Sequence, residues 1–296
     1  MTMTISRPEI LTNIDVSAYA PRVPQFQHAP VKVADDTYLI RSTFGEGEAP
    51  MFVYVNSLVV LGQEPTIIDT GTVANRKQWL EDVFSLVDPK DVRWILISHD
   101  DHDHVGNLAE VMALCPNATL VSSWFQLERL AGDLSLPPTR MQWREDGDTI
   151  KAGDRDFAFV RPPVFDAPTT RGFYDSKTGV YWAGDCFAAP STVPSDDVSV
   201  YEAEEWRQGF NLFQLAISPW VNLVDAVKYN RTVKRISDLN PKVIVGGHSP
   251  AIYGDYVTRA IDMLYDLPEA PMPQLPGQET LDMIVAQILG GEPQHA

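Results

Sequence analysis

A short apolar segment that runs directly into a cluster of metal-binding side chains constrains this chain more than any other feature. Residues 92–97 (VRWILI) form a mostly apolar run, which is typical of a strand buried on both faces of a sheet. The residues after Ser98 are six consecutive ligand types: His99, Asp100, Asp101, His102, Asp103 and His104. Ligands collect at strand ends in open α/β folds, so we interpret the cluster as a metal site and not as a solvated run of charge.

Two further ligand-type residues follow apolar segments far along the chain. Asp185 ends the string YWAGD, and His248 ends the string VIVGGH. Each on its own is typical of a capping aspartate or an ordinary histidine. Together with the cluster at 99–104 they predict one site assembled from several strand ends.

The order of predicted elements indicates an α/β layered domain. Strand-like segments alternate with helical patterns, for example the strand at 92–97, a helix at about 107–114 and a strand at 119–121. We expect a Pro-containing N-terminal arm over residues 1–36 and a main domain over 37–266. Residues 267–296 follow as a Pro-rich linker and an amphipathic helix.

Composition excludes several classes of partner. The 296 residues include 23 Lys and Arg against 40 Asp and Glu, a net charge of −17. This balance disfavours nucleic acids and anionic membranes, which bind through Lys and Arg. The chain has two cysteines, no apolar run of about 20 residues and no signal-like N-terminus. We therefore expect a cytoplasmic protein, and the charge balance leaves a small molecule as its expected partner.

The combined motifs resemble the metallo-β-lactamase superfamily. They are H-x-D-x-D-H-x-G at 99–106, an aspartate after Ala-Gly at 185 and a Gly-His pair at 247–248. The upstream string VNSLVVLGQEPTIIDTG is similar to the opening strands of that family, with Asp69 in its D-T-G. The resemblance spans about residues 37–265. It implies a four-layer αβ/βα sandwich with a two-metal site at one edge, and within the superfamily the flavodiiron-like branch without its flavodoxin domain.

The resemblance implies a ligand set when it is carried over position by position. The usual string is H-x-H-x-D-H, in which His99, Asp103 and His104 match as they stand. Asp101 replaces the second histidine, and the flavodiiron-like branch also has a carboxylate at that position. Asp166 is obtained by counting nine residues back from Asp175, the residue that opens a predicted hairpin turn.

The implied arrangement has two divalent metal ions. One is held by His99, Asp101 and Asp166, the other by Asp103, His104 and His248, and Asp185 bridges them. Imidazole and carboxylate ligands suit zinc, iron and manganese, and the carboxylate-rich first site favours iron or manganese. Asp103 is a candidate catalytic residue as well as a ligand.

His102 and Asp100 occupy the variable positions of the motif. His102 is either a proton donor or supporting group at the cavity, or a structural or surface histidine. Asp100 is expected to face solvent, and Cys186 is expected to be a small core residue.

Two helical regions complete the predicted organisation. Residues 187–240 are expected to be mostly helical, and in this superfamily the corresponding insertion covers the metal cleft. Some of its aromatic residues therefore either fill the helix core or shape an apolar substrate pocket; they are Phe187, Trp206, Phe210, Phe213 and Trp220. At the C-terminus one helical face over about 279–290 carries five apolar residues: Leu281, Ile284, Val285, Ile288 and Leu289. This face predicts docking on the chain's own domain or a homo- or hetero-oligomer contact.

Three functions remain open from the sequence. The first is a dinuclear hydrolase whose metal-bound hydroxide attacks an ester, thioester, lactone or activated aryl ether. The second is a di-iron oxidoreductase that handles oxygen or nitric oxide with electrons from another protein. The third is a non-catalytic subunit of a complex. The hydrolase is the leading hypothesis because most of the superfamily hydrolyses.

Overall fold

Two β-sheets face each other at the centre of the protein. A computed structural model describes residues 25–47 and 51–288. The first sheet has seven strands in chain order: β1 (Gln25–Ala34), β2 (Thr37–Phe44), β3 (Val53–Val60), β4 (Thr66–Ile68), β5 (Trp94–Leu96), β6 (Thr119–Ser122) and β7 (Met141–Trp143). Strands β1 to β4 pair antiparallel, whereas β4 to β7 pair parallel.

The second sheet has six strands in the order β13-β12-β11-β10-β9-β8. Their bounds are β8 (Thr149–Ala152), β9 (Arg155–Phe159), β10 (Phe173–Asp175), β11 (Val180–Trp182), β12 (Val243–Val245) and β13 (Ile252–Tyr253). All neighbours pair antiparallel except β11 and β12, which run parallel.

The described residues contain eight α-helices, most of which pack on the outer face of a sheet. They are α1 (Arg76–Leu86), α2 (His102–Val105), α3 (Leu108–Leu114), α4 (Trp124–Leu130), α5 (Ala203–Ile217), α6 (Ala226–Leu239), α7 (Asp255–Asp266) and α8 (Gln278–Ile288). In the described residues no helix is both long and apolar enough to cross a membrane.

Alternating side chains of the strands build three apolar cores. In β5, Leu96 faces the second sheet, whereas Ile95 packs with α1 and α3. In β12, Val245 belongs to the core between the sheets and Ile244 packs under α5, α6 and α7. This period-two alternation between two apolar environments explains why the strands are apolar on both faces. The predicted four-layer sandwich is confirmed.

The structure corrects the predicted N-terminal arm and adds two details to the predicted organisation. Residues 25–34, predicted as part of an arm, form the edge strand β1; residues 1–24 lie outside the described part. The short strands β7, β8 and β13 were not predicted. The segment 187–240 is mainly the outer helical layer of the second sheet, because Trp206 and Phe210 of α5 are buried in its core.

The C-terminal helix α8 leaves its apolar side chains accessible. Leu281, Ile284 and Val285 are 51%, 47% and 43% exposed. In the single chain this face therefore does not dock on its own domain, which was one of the two predicted alternatives. Leu289 lies outside the described residues.

A buried arginine joins the two sheets at the edge opposite the motif cluster. The Arg155 side chain at the start of β9 is fully buried and donates to Asp175 Oδ2 over 2.7 Å. It also pairs with Asp36 in the turn between β1 and β2 of the other sheet. Burial alone would raise the pKa of Asp36, but Arg155 and Lys177 outweigh it and lower the pKa to about 2.

We expect Arg155→Met to destabilise the fold by about 3–5 kcal/mol, because it leaves the buried Asp175 carboxylate without its cation. The measurement is the free energy of unfolding from urea titration. The control is Arg207→Met, which removes the exposed ion pair with Asp266 and should change stability little. Equal losses in the two variants would contradict the assignment.

Truncation after Gly277 removes α8 and tests the predicted oligomer contact. We expect a smaller mass in light scattering or a lower melting temperature, because exposed aliphatic side chains gain about 1.5–3 kcal/mol each on full burial. Metal content should not change, since every predicted ligand lies before α8. Glu279→Gln, on the opposite side of the helix, is the control. Unchanged mass together with unchanged melting temperature would refute the contact.

Candidate metal centre

Seven ligand-type side chains meet at one edge of the sandwich: His99, Asp101, Asp103, His104, Asp166, Asp185 and His248. Four lie directly after β5, in the loop that leads into α2 and in α2 itself. The others follow β9, β11 and β12. Because β4 and β5 run parallel in one sheet and β11 and β12 in the other, their carboxyl ends bring these loops together.

The seven side chains form two groups around a shared carboxylate. Ligand atoms of His99, Asp101 and Asp166 all lie within 4.8 Å of one another. The ligand atoms of a second group, Asp103, His104 and His248, also lie within 4.8 Å of one another. Asp185 lies between the two groups, because its ligand atom also meets that limit with those of His99 and His104. These are the same groups of residues that the family resemblance implies, and metal binding by them stays a prediction.

The two oxygens of Asp185 face different groups. Oδ2 lies 3.4 Å from His99 Nε2. Oδ1 lies 3.0 Å from His104 Nε2 and 3.3 Å from His248 Nε2. Asp103 Oδ2 is 3.3 Å from His248 Nε2. A carboxylate placed in this way can bridge two cations.

Each histidine is oriented through its second ring nitrogen. His104 Nδ1 donates to Asp69 Oδ2 over 2.8 Å, and His248 Nδ1 donates to the Tyr54 carbonyl over 2.6 Å. His99 Nδ1 is 3.0 Å from Ser98 Oγ, which itself donates to Asp69. These partners select the tautomer in which every Nε2 is an acceptor facing the cleft.

Asp69 is a fully buried carboxylate beneath the centre. It accepts from the Ser98 backbone N–H and hydroxyl, each over 2.6 Å, and from Trp182 Nε1 over 3.1 Å. Its backbone has φ of +57°, which aspartate adopts more readily than most residues. The carboxylate thereby connects the ends of β4, β5 and β11 to His104.

Close backbone approach near His248 requires glycine. A Cβ on Gly247 would lie 2.7 Å from His104 Cε1 and 3.1 Å from Asp185 Oδ1. Asn56 of β3 holds this turn, because its Nδ2 donates to the carbonyls of Gly246 and Ser249 over 2.8 Å each.

Opposite charges perturb the titration of the cluster. Burial lowers the pKa of His248, but the Asp185 and Asp103 carboxylates outweigh it and raise the pKa to about 9. Burial opposes protonation of His104 too, yet Asp103, Asp185 and Asp69 raise its pKa well above the ordinary value. Burial would raise the pKa of Asp185, whereas the three histidines lower it well below its usual range. The carboxylates thus favour positive charge at this point, and a divalent cation would supply it while each histidine Nε2 stays an acceptor.

The donor atoms fit metal ions. His99 Nε2, His104 Nε2 and Asp185 Oδ1 are buried and have no hydrogen-bond partner among the described residues. Buried polar atoms without partners are costly, so several of them converging on one point indicate a ligand. Imidazole nitrogens with carboxylate oxygens are the donor set of zinc, iron and manganese sites.

The variable positions of the motif differ from each other. His102 is exposed and lines a cavity of about 500 Å³ together with Asp101, which leaves its predicted catalytic role untested. Asp100 was expected in solvent, but its side chain is only 5% exposed and pairs with Arg129 of α4. Its other oxygen accepts from Thr169, three residues after Asp166. The Asp100 carboxylate therefore links its own loop to α4 and to the loop that follows Asp166. The sequence did not predict this contact.

Aromatic residues of the 187–240 segment divide between core and cleft. Phe187, Trp206 and Phe210 are buried in the outer core, next to the buried Cys186. Phe213 is half-buried, and its ring centroid lies 5.3 Å from that of His248. This part of the segment does contribute an apolar wall to the centre.

Several supporting residues were missed from the sequence. Ser98, Tyr54 and Asn56 orient ligands through the contacts described above, and Gln214 of α5 donates to the Asp185 carbonyl over 3.2 Å. Only Asn56 had a local signal, since it is an amide within a strand of apolar residues. The others act through contacts between distant segments.

We expect Asp69→Asn to weaken metal binding by about 10- to 100-fold, because the group that orients His104 loses its charge. Asparagine has the same shape and also tolerates positive φ, so the backbone should not change. The measurement is zinc or iron affinity by competition with a chelator. Asp262→Asn on the exposed face of α7 is the control, and equal affinities in the two variants would contradict the role of Asp69.

Comparisons with known proteins place this arrangement in a family. The model described as ODP family beta lactamase matches residues 53–249, which include every residue of the centre. "Putative diflavin flavoprotein A 2" of Nostoc sp. is 29% identical over 204 residues, covering 67% of this chain and 33% of that protein. The anaerobic nitric oxide reductase flavorubredoxin of Pectobacterium atrosepticum is 24% identical over 175 residues, 58% of this chain and 34% of that protein.

Solved structures confirm the fold. Rubredoxin oxygen:oxidoreductase of Desulfovibrio gigas superposes with a TM-score of 0.72 at 18% identity, covering 81% of this chain and 61% of that chain. The present chain spans about a third of the length of the two curated relatives named above, 33% and 34%. Because the family model covers more than half of the sequence and the centre lies within the match, the chain belongs to the ODP family of beta-lactamase-fold proteins.

Proposed function

We propose that this chain is the catalytic core of a di-iron oxidoreductase that reduces nitric oxide or dioxygen. The observation that carries the proposal is the group of His99, Asp101 and Asp166, which offers one nitrogen and two carboxylates. With the nearby Asp185 oxygen this set is harder and more anionic than a three-histidine site. Carboxylate-rich ligation favours iron over zinc.

The comparisons favour this function over the hydrolase that led from sequence alone. The names of the relatives include a nitric oxide reductase and an oxygen:oxidoreductase. No hydrolytic activity stands in the names of the relatives reported above. The second sequence-based hypothesis is therefore better supported than the first.

The proposal has two metal positions. His99, Asp101 and Asp166 would hold one iron, Asp185 would bridge, and the other iron would be held by a second group: Asp103, His104 and His248. Bound there, iron supplies electrons to the diatomic substrate. The hydrogen bond to Asp69 holds the His104 ring in its orientation. The Phe213 ring beside His248 provides an apolar surface that suits a small uncharged gas. His102, exposed at the adjoining cavity, is the proposed proton donor.

Electrons come from a separate donor in this proposal. Cys115 and Cys186 are both free and buried, and an iron–sulfur cluster generally needs four cysteine ligands. The relatives are named flavoproteins or flavorubredoxins, so we propose a reduced flavoprotein as the donor. Reduction of two nitric oxide molecules to nitrous oxide and water consumes two electrons and two protons. Two ferrous ions would supply the two electrons of a single turnover, and the two protons would come from solvent by way of His102.

The test loads the full chain anaerobically with ferrous iron. We expect two irons per chain and, on mixing with nitric oxide, about one nitrous oxide per chain by gas chromatography. Oxygen should oxidise the same iron, which the near-ultraviolet absorption follows. Asp185→Ala should reduce iron affinity by more than about 100-fold, since it removes the shared ligand. Asp262→Asn on α7 is the matched control.

Other outcomes identify the alternatives. A chain that retains two zinc ions, cleaves p-nitrophenyl acetate or a thioester above the buffer rate and leaves nitric oxide and oxygen unchanged would be a hydrolase. A chain that binds no metal under any loading condition would support the non-catalytic subunit. Either result overturns the proposal.

A further inference from the structure

A second cavity of about 510 Å³ opens on the outer side of the second sheet, beside the start of α6. Its volume lies in the range of small-molecule sites, about 300–1,000 Å³. None of the seven residues of the metal centre lines it. The cavity is therefore distinct from the centre, although its wall residue Phe165 directly precedes Asp166.

Three aromatic side chains line the cavity, and two of them contact each other. Phe165 and Trp220 lie with ring centroids 4.9 Å apart and planes tilted by 50°. The Phe165 carbonyl accepts from Trp220 Nε1 over 3.1 Å and from the Ser218 hydroxyl over 2.7 Å. Tyr229 of α6 adds a third, largely buried ring. Flat rings held in advance favour a planar aromatic ligand, since little side-chain entropy remains to be lost.

The charged residues at the cavity leave positive charge available. Three cations line it, Arg161, Lys228 and Arg235, against two carboxylates, Asp146 and Asp225. Both oxygens of Asp146 already accept from Arg235, over 2.8 and 2.9 Å. The Asp225 carboxylate caps α6 by accepting the Lys228 backbone N–H over 3.0 Å.

Two of these cations remain free to meet an anion. The Lys228 side chain is exposed and makes no ion pair with any residue that the structure describes. Arg161 lies over the Phe165 ring at 5.5 Å and donates only to carbonyls, those of Thr170 and Pro168. The whole chain has a net charge of −17, whereas cations outnumber carboxylates in this cavity. The cavity therefore favours a negatively charged ligand.

We propose that this cavity is a binding site for a planar aromatic molecule that carries an anionic group, such as an aryl phosphate. The ring system lies against the partly exposed rings of Phe165 and Trp220, next to the largely buried Tyr229. The anionic group faces Lys228 and Arg161. The site does not depend on metal at the centre, so it can be tested independently of the proposed oxidoreductase activity.

The test is calorimetric titration of the metal-free full chain with 1-naphthyl phosphate. Its uncharged counterpart, 1-naphthol, measures the contribution of the rings alone. We expect one site per chain for naphthyl phosphate and at least about tenfold weaker binding of naphthol, because a hydrogen bond to a charged group is stronger than a neutral one.

Two variants assign the binding to this cavity. Lys228→Glu should weaken naphthyl phosphate by about tenfold or more and leave naphthol nearly unchanged. Arg231→Glu reverses an exposed charge on the same helix at a residue that does not line the cavity. It should change the affinity for neither ligand. Trp220→Leu should weaken both ligands, since it removes a stacking surface but no charge.

The contrary results are equally definite. Equal affinity for naphthol and naphthyl phosphate would refute the anionic component, and equal effects of Lys228→Glu and Arg231→Glu would refute the location. Binding that requires loaded metal and is displaced by inorganic phosphate would place the ligand at the metal centre instead. Absence of binding at millimolar concentration would refute the site altogether.

Discussion

The buried Asp69 carboxylate is the interaction on which the arrangement of the centre depends. It has no exposed surface, and its cost of burial is offset by four donors from three other segments of the chain: the Ser98 N–H and hydroxyl, Trp182 Nε1 and His104 Nδ1. The three residues that donate lie in different elements: Ser98 just after β5, Trp182 at the end of β11 and His104 in α2. Because one group must satisfy all of them, the two sheets and the ligand histidine have one common geometry.

A second ionic cluster holds the opposite edge of the sandwich. Arg155 joins Asp36 of the first sheet to Asp175 of the second, with an apolar core between the sheets separating it from Asp69. The two edges differ in what they leave unpaired. At one edge Nη1 and Nη2 of the guanidinium donate to carboxylates and Nε alone has no hydrogen-bond partner. At the other edge three atoms that face one another have none among the described residues: His99 Nε2, His104 Nε2 and Asp185 Oδ1. Structural charge is neutralised within the protein, and the centre has donor atoms left for metal.

The loop that carries Asp166 connects three parts of the molecule. Asp166 faces the first metal group, Thr169 donates to Asp100 beside Asp101, and Phe165 lines the aromatic cavity next to α6. Its position is therefore set from several sides. This explains how a ligand outside regular secondary structure can be held in place, and it sets the aromatic cavity directly beside the carboxylate-rich half of the centre.

The family resemblance implied Asp166 and the division of the ligands into two groups. The sequence by itself predicted the fold class and placed Asp185, His248 and the cluster at 99–104 at one edge, because each follows an apolar strand and strand ends in an α/β fold share an edge. It could not determine β1, whose pairing with β2 is a contact between segments, nor the packing of α5 and α6 as an outer layer. Asp100 was expected to be a surface charge, but in the structure it pairs with Arg129 of α4. Local spacing specifies which side chains point to an edge. Only the tertiary structure decides which of these side chains are neutralised or oriented by distant groups and which have no partner, because those contacts join residues far apart in the chain.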